Sequence, residues 1–162
     1  MILIDPDAWS RYNHSHHRHT YYGYRNLEIS MSAGLWMARL VNALRRPHQQ
    51  GIVFVVIDGS TAMLASMAIP HIDGAYASVV VPGGEKHDYD TACPPNIMAV
   101  LLEDYLCQGG SLREARQFIG RDLDLAVYIE TNKWQEDDWV DKTRMLVSLR
   151  QGWYWNNERK AA

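Results

Sequence analysis

Cysteine, phenylalanine and long apolar runs are all scarce in this chain. Cys93 and Cys107 are its two cysteines, and Phe54 and Phe118 its two phenylalanines. Two cysteines exclude a disulfide framework. They flank a predicted helix of about 20 Å, at ~1.5 Å rise per residue, which is too long for a bridge. Reduced thiols in a cytosolic protein are therefore expected. No apolar run approaches the roughly 20 residues of a membrane helix. Met1-Ile2-Leu3-Ile4 passes straight into Asp5-Pro6-Asp7, so the basic start and apolar segment of a signal peptide are missing. There is no Gly-x-Ser-x-Gly elbow and no phosphate-binding glycine loop, which leaves nucleophilic hydrolases and nucleotide-loop enzymes without support.

Acids are also missing from one long stretch. None lies between Asp7 and Glu28. Residues 8–57 hold Arg11, Arg18, Arg25, Arg39, Arg45 and Arg46 against Glu28, a net of +5, which leaves −8 for the rest of a chain whose total is −3. This asymmetry predicts a basic face and an acidic face.

What is present in the basic part is unusual. Residues 13–25 read NHSHHRHTYYGYR, with four histidines and three tyrosines. In an extended chain His14 and His16 share one side, and His17 and His19 the other. Such a segment suits an anionic partner. Arg11, Arg18 and Arg25 supply charge, Tyr22 and its neighbours can stack, and the histidines gain charge just below neutrality. The same histidines could serve as general acid and base in a nuclease. They could also furnish two zinc ligands, although no second pair completes a four-ligand site.

At 162 residues the chain suits one domain that buries about two thirds of its surface. Residues 1–29 read as a short strand followed by the arm, and residues 30–162 as the core. A helix is expected from about Ser32 to Arg46, with Leu35, Trp36, Leu40, Val41 and Leu44 at helical spacing and Pro47 beyond it. Ile52–Ile57 is a β-branched and aromatic run. Asp58-Gly59 is a hairpin-type turn, so Met63–Ile69 is expected to return as a second strand, although its Ala and Met content would also suit a helix. Ala75–Val81 would be the third. Pro94-Pro95 suits a helix start, and Ile97–Leu106 is apolar around its whole circumference, which predicts a central helix. Ser111–Glu114 is a capping box for a short helix that ends at Gly120. Leu123–Glu130 alternates as a strand. A last helix is expected over Gln135–Arg150, with acids early and bases late. The expected class is α+β: an antiparallel β-meander packed against helices in a single compact domain.

Two further candidate sites follow from that arrangement. A meander brings the Asp58 turn to the loop GGEKHDYD, where Glu85, His87, Asp88 and Asp90 add donors for a divalent cation. His71 and Asp73 would lie some 25 Å away for an eight-residue strand. The Ile57–Ala62 segment resembles the Asp-x-Ser-x-Ser metal turn of von Willebrand factor A domains. Ala62 stands at the final serine, and the chain is short for that fold, so the resemblance is set aside. The segment YLCQGGSLREARQFIGRDL resembles the first two helices of a helix-turn-helix unit, which would imply DNA reading. Against it, Arg116 occupies a small-residue position, and Asp122, Asp124 and Glu130 fill the would-be recognition segment, where they would repel phosphate. Cys93 sits before Pro94-Pro95 at an expected helix start, where a thiolate is stabilised, but no histidine partner can be assigned.

The expected function is that of a small non-catalytic binding protein, of the inhibitor, immunity or accessory kind. It would use Arg11, His14, His16, His17, Arg18, His19, Tyr22 and Arg25 for an anionic macromolecule, either an acidic protein surface or nucleic acid. No cofactor and no membrane association are expected. The alternative is a metal- or histidine-dependent phosphodiesterase, with Asp58, Glu85, His87 and Asp90 as metal ligands.

Overall fold

The computed structural model describes residues 27–57, 59–82, 92–106, 110–131, 143–149 and 153–156. Helix α1 (Leu27–Leu44) leads into strand β1 (Gly51–Val56), helix α2 (Gly59–Ala68) and a 3-10 turn (Ile69–His71). Strand β2 (Tyr76–Val80), strand β3 (Ile97–Leu106), helix α3 (Gly110–Ile119) and strand β4 (Leu125–Thr131) follow, then β5 (Met145–Ser148) and β6 (Trp153–Asn156). Among the described residues these strands form one sheet in the order β2-β1-β3-β4-β5-β6. Strands β1 to β5 run parallel, and β6 pairs antiparallel with β5 at the edge.

The expected antiparallel meander is therefore wrong, and the class is α/β rather than α+β. The reason lies in the apolar runs. Every residue of β1 is buried, and Met98–Leu102 of β3 are fully buried. Successive strand residues face opposite sides of a sheet, so such strands need cover on both faces. Parallel strands joined by helical crossovers supply that cover, and their strands read as continuous apolar runs. Ile52, Phe54, Val56, Met98, Val100, Leu102, Leu125, Val127 and Ile129 pack on one face with Met37 and Val41 of α1 and Leu64 and Ala65 of α2. Val53, Val55, Ala99, Leu101, Ala126 and Leu146 pack on the other with Leu112, Ala115 and Ile119 of α3.

Each misread element has its own cause. Asp58-Gly59 does not close a hairpin. It is the junction between β1 and α2, and Met63–Ala68 belongs to that helix, in keeping with its Ala and Met content. Ile97–Leu106 is a strand and not a helix; a run apolar at every position carries no period by which to tell the two apart. Residues 27–29, assigned to the arm, belong to the start of α1. The expected final helix contains β5, and β6 follows at Trp153–Asn156. The helix-turn-helix resemblance fails as well, since its residues run from the end of β3 through α3 to the turn before β4. The expected short helix and the strand after it stand as α3 and β4.

The amino-terminal edge of the sheet is tied together by Arg121 and Asp124. Asp124 accepts a hydrogen bond from the Ala99 amide at 2.9 Å and donates its own amide to the Ala99 carbonyl at 3.0 Å, so its side chain completes the β3–β4 ladder. Arg121 pairs with the same carboxylate at 3.1 Å and donates from Nε to the Cys93 carbonyl at 2.8 Å. Next to this brace Gly120 ends α3 at φ +73°, the left-handed conformation that terminates helices. Its hydrogen also faces Ala92, whose Cα would stand 3.0 Å from any Cβ.

Helices α1 and α2 cross closely. A Cβ on Gly34 would come within 2.6 Å of the Met67 Cβ and 2.8 Å of its carbonyl carbon. In an open helix Gly→Ala stabilises by about 1 kcal/mol. Here Gly34→Ala is expected to destabilise by about 1–3 kcal/mol, the usual cost of overpacking. Urea denaturation measures it, and a stabilised variant would contradict this helix packing.

Candidate functional site at the carboxyl edge

The strand order reverses between β1 and β3: the chain leaves β1 for β2 on one side, then reappears on the other side as β3. In open α/β sheets the crevice outside the carboxyl ends of the strands at such a reversal is where ligands bind. At this edge β1 ends at Val56, followed by the half-buried Ile57. Helix α2 begins at Gly59, and Thr61 in its first turn is fully buried. Helix α3 begins at Gly110 on the other side, where an added Cβ would meet nothing within 4 Å. Two helices thus start at the mouth of one crevice, each through a glycine.

Glu103 is the chemically distinctive residue there. The last β1–β3 pair is Val56 with Leu102, so Glu103 stands one position beyond it. On its other side Glu103 pairs in register with Tyr128 of β4. Glu103 is 5% exposed and Tyr128 1%. A carboxyl group this deep is costly to bury unless it is paired, and Glu103 is not without a partner. Tyr128 packs in the apolar cluster beneath α3, and among the described residues its hydroxyl has no hydrogen-bond partner. Burial raises the Tyr128 pKa above its ordinary value, and the neighbouring negative charge of Glu103 raises it further. The hydroxyl is therefore held protonated.

The sequence-derived candidates fall as follows. Arg11, His14, His16, His17, Arg18, His19, Tyr22 and Arg25 lie outside the described residues, as do Asp58, Glu85, His87, Asp88 and Asp90. Asp58 nevertheless follows directly on Ile57, and β2 ends at Val80 on the same edge because β1 and β2 run parallel. The meander that was expected to bring Asp58 to the Glu85–Asp90 segment is absent, and both lie outside the described residues. His71 and Asp73 precede β2 and lie at the opposite edge, where Asn42 donates to the His71 carbonyl and to the Asp73 carboxylate, each at 3.1 Å. Among the described residues no group of three or more His, Cys, Asp or Glu side chains is placed to hold a metal ion. Cys93 precedes a strand rather than a helix start. Burial raises its thiol pKa, with Arg121 opposing, so the environment favours an unreactive thiol.

Glu103 and Tyr128 are absent from the candidates drawn from sequence. The available signal was an acid placed directly after an apolar run, and it occurs twice: Asp58 after Ile52–Ile57, and Glu103-Asp104 after Ile97–Leu102. Reading the second run as a helix hid the parallel. Among the described residues no helix is long and apolar enough to cross a membrane. No family model, characterised protein or solved structure matches the chain.

Tyr128→Phe removes a buried hydroxyl that lacks a partner, and stability is expected to rise by about 1 kcal/mol. The pH dependence has a definite sign. With a raised folded-state pKa, the contribution is intact below the unfolded tyrosine value of about 10 and is lost as pH climbs toward the folded value. Denaturation at pH 8 and at alkaline pH should show that loss in the parent and a smaller one in the variant. A destabilised variant at pH 8 would mean that the hydroxyl has a partner.

Proposed function

We propose that this chain is a divalent-cation-dependent protein that acts on or binds a phosphate ester in the crevice between the carboxyl ends of β1 and β3. The observation that carries this reading is Glu103, a buried carboxyl group at the reversal of strand order. Asp58 follows β1 in the sequence, Asp104 follows Glu103, and Glu130 falls near the end of β4. Strand ends that carry carboxylates suit hard cations, which take oxygen ligands. Such an edge repels a bare anion, so a phosphate would come with its cation. A bound cation would supply Lewis acidity and a more acidic water. The chain would contribute the carboxylates and, at the starts of α2 and α3, amide groups that favour negative charge. This is the metal-dependent form of the phosphodiesterase alternative, with Glu103 added to Asp58 as a ligand.

A second reading has its own observation. Arg45, Arg46, Arg116, Arg121 and Arg144 all lie at the end of α1, near the end of α3 or just before strands, at the amino edge. Asp73, Asp122 and Asp124 share that edge, but arginines outnumber them there. That excess supports the non-catalytic alternative, in which the basic arm of residues 11–25 extends a basic surface toward an anionic macromolecule.

Thermal melting with and without Mn²⁺ separates the two. The cation reading expects a rise of several degrees at saturating Mn²⁺, since a ligand at a hundred times its Kd adds about 2.7 kcal/mol. The rise should vanish in Glu103→Gln and in Asp58→Asn, along with any hydrolysis of bis(p-nitrophenyl) phosphate. An unchanged melting temperature together with no hydrolysis would overturn it. Loss of partner binding in a variant lacking Arg11, Arg18 and Arg25 that still folds would then favour the arm.

A further inference from the structure

A second site lies at the opposite end of the sheet from the crevice. The carboxyl-terminal half of α3 and the turn before β4 enclose an open hollow of about 400 Å³, lined by Arg113, Arg116, Gln117, Gly120, Arg121 and Asp122. Three guanidinium groups thus surround one space, with a single carboxylate among the lining residues.

Arg121 and Arg116 are each held by hydrogen bonds. Arg121 donates to the carbonyls of Cys93, Pro94, Ile97 and Asp122 and to the Asp124 carboxylate. Its guanidinium is therefore a fixed positive wall. Arg116 turns both Nε and Nη2 toward the same oxygen of Asp122, at 3.0 and 2.6 Å. That carboxylate is 60% exposed, against 24% for Arg116. Asp122 thus occupies the fork of Arg116 from the solvent side. An arginine fork suits a phosphate at least as well as a carboxylate. Helix ends also attract arginines for a simpler reason, because the carboxyl end of a helix is negative. That accounts for one or two basic residues in the last turn. It does not account for a third arginine from beyond the helix, or for a hollow large enough for a ligand.

We propose that this hollow binds a terminal phosphate group, as a phosphomonoester or inorganic phosphate, with Arg113 and Arg116 grasping it, Arg121 as the fixed positive wall and Asp122 as the internal competitor that it displaces. The site is independent of the crevice at the carboxyl edge and requires no cation.

The probe is inorganic phosphate, titrated at low ionic strength and followed by amide NMR shifts, with chloride at matched ionic strength as control. Saturable shifts are expected at Arg113–Asp122 and not at the carboxyl edge. Arg116→Gln should weaken binding about tenfold, the loss of one charge-assisted pair. Asp122→Asn should tighten it, an effect that a merely structural role for Asp122 would not produce. Arg116 and Asp122 form a partly exposed pair, and such pairs contribute little to stability, so both variants should fold; their melting curves verify it. A dinucleotide with a diester linkage and no terminal phosphate should bind more weakly than phosphate. Equal binding would replace the terminal phosphate by a nucleic-acid backbone as ligand and would overturn the proposal. Two other results would also overturn it: no saturable shifts in either the parent or Asp122→Asn, or unchanged affinity in Arg116→Gln.

Discussion

Strands β1 and β3 are apolar on both faces, and the rest of the architecture answers that constraint. A strand with a polar side can border water. Ile52–Val56 and Met98–Leu102 have none, so each must lie inside a sheet with cover above and below. α1 and α2 cover one face and α3 the other. The crossover from β1 through α2 to β2 and the later return to β3 leave those two strands adjacent with their connections departing in opposite directions. The crevice is thus a by-product of the same requirement that builds the core.

The chemistry sorts itself along the strand axis. Arginine-bearing turns precede the strands, together with Asp73, Asp122 and Asp124, while Glu103 and Asp104 lie toward the end of β3. At the amino edge the charges are structural: Asp124 finishes the β3–β4 ladder, and Arg121 fastens it to the turn before β3. At the carboxyl edge Glu103 interrupts an otherwise apolar sheet, with the unpartnered Tyr128 hydroxyl beside it. An acid at a position that packing alone would fill with an apolar residue is where a fold departs from its own consistency, and such departures concentrate at functional sites.

Much of the core was legible in the sequence, whereas the direction of the chain through it was not. β1, β2, β4, α1 and α3 were readable from apolar spacing, turn residues and caps. Ile97–Leu106 was misread because it lacks a period, and that one segment decides whether the sheet is parallel. Asp58-Gly59 misled for a related reason: the dipeptide suits a hairpin, but here it stands where β1 gives way to α2. Glu103 and Tyr128 needed the register of β3 against β4, and register is set by pairing partners far apart in sequence. The histidine arm stood out by composition, which carries no information about what it faces.

The central claim is that a cation binds at the carboxyl edge of β1 and β3. Paramagnetic broadening by Mn²⁺ tests it most directly, because the effect falls steeply with distance from the ion and reports location without any assumption about activity. At substoichiometric Mn²⁺ the amide signals of Val56, Ile57, Leu102 and Glu103 should broaden first, while those of Ile52, Cys93, Arg121 and Met145 stay sharp. Broadening that begins at the amino edge, or that spreads evenly over the chain, would contradict the account.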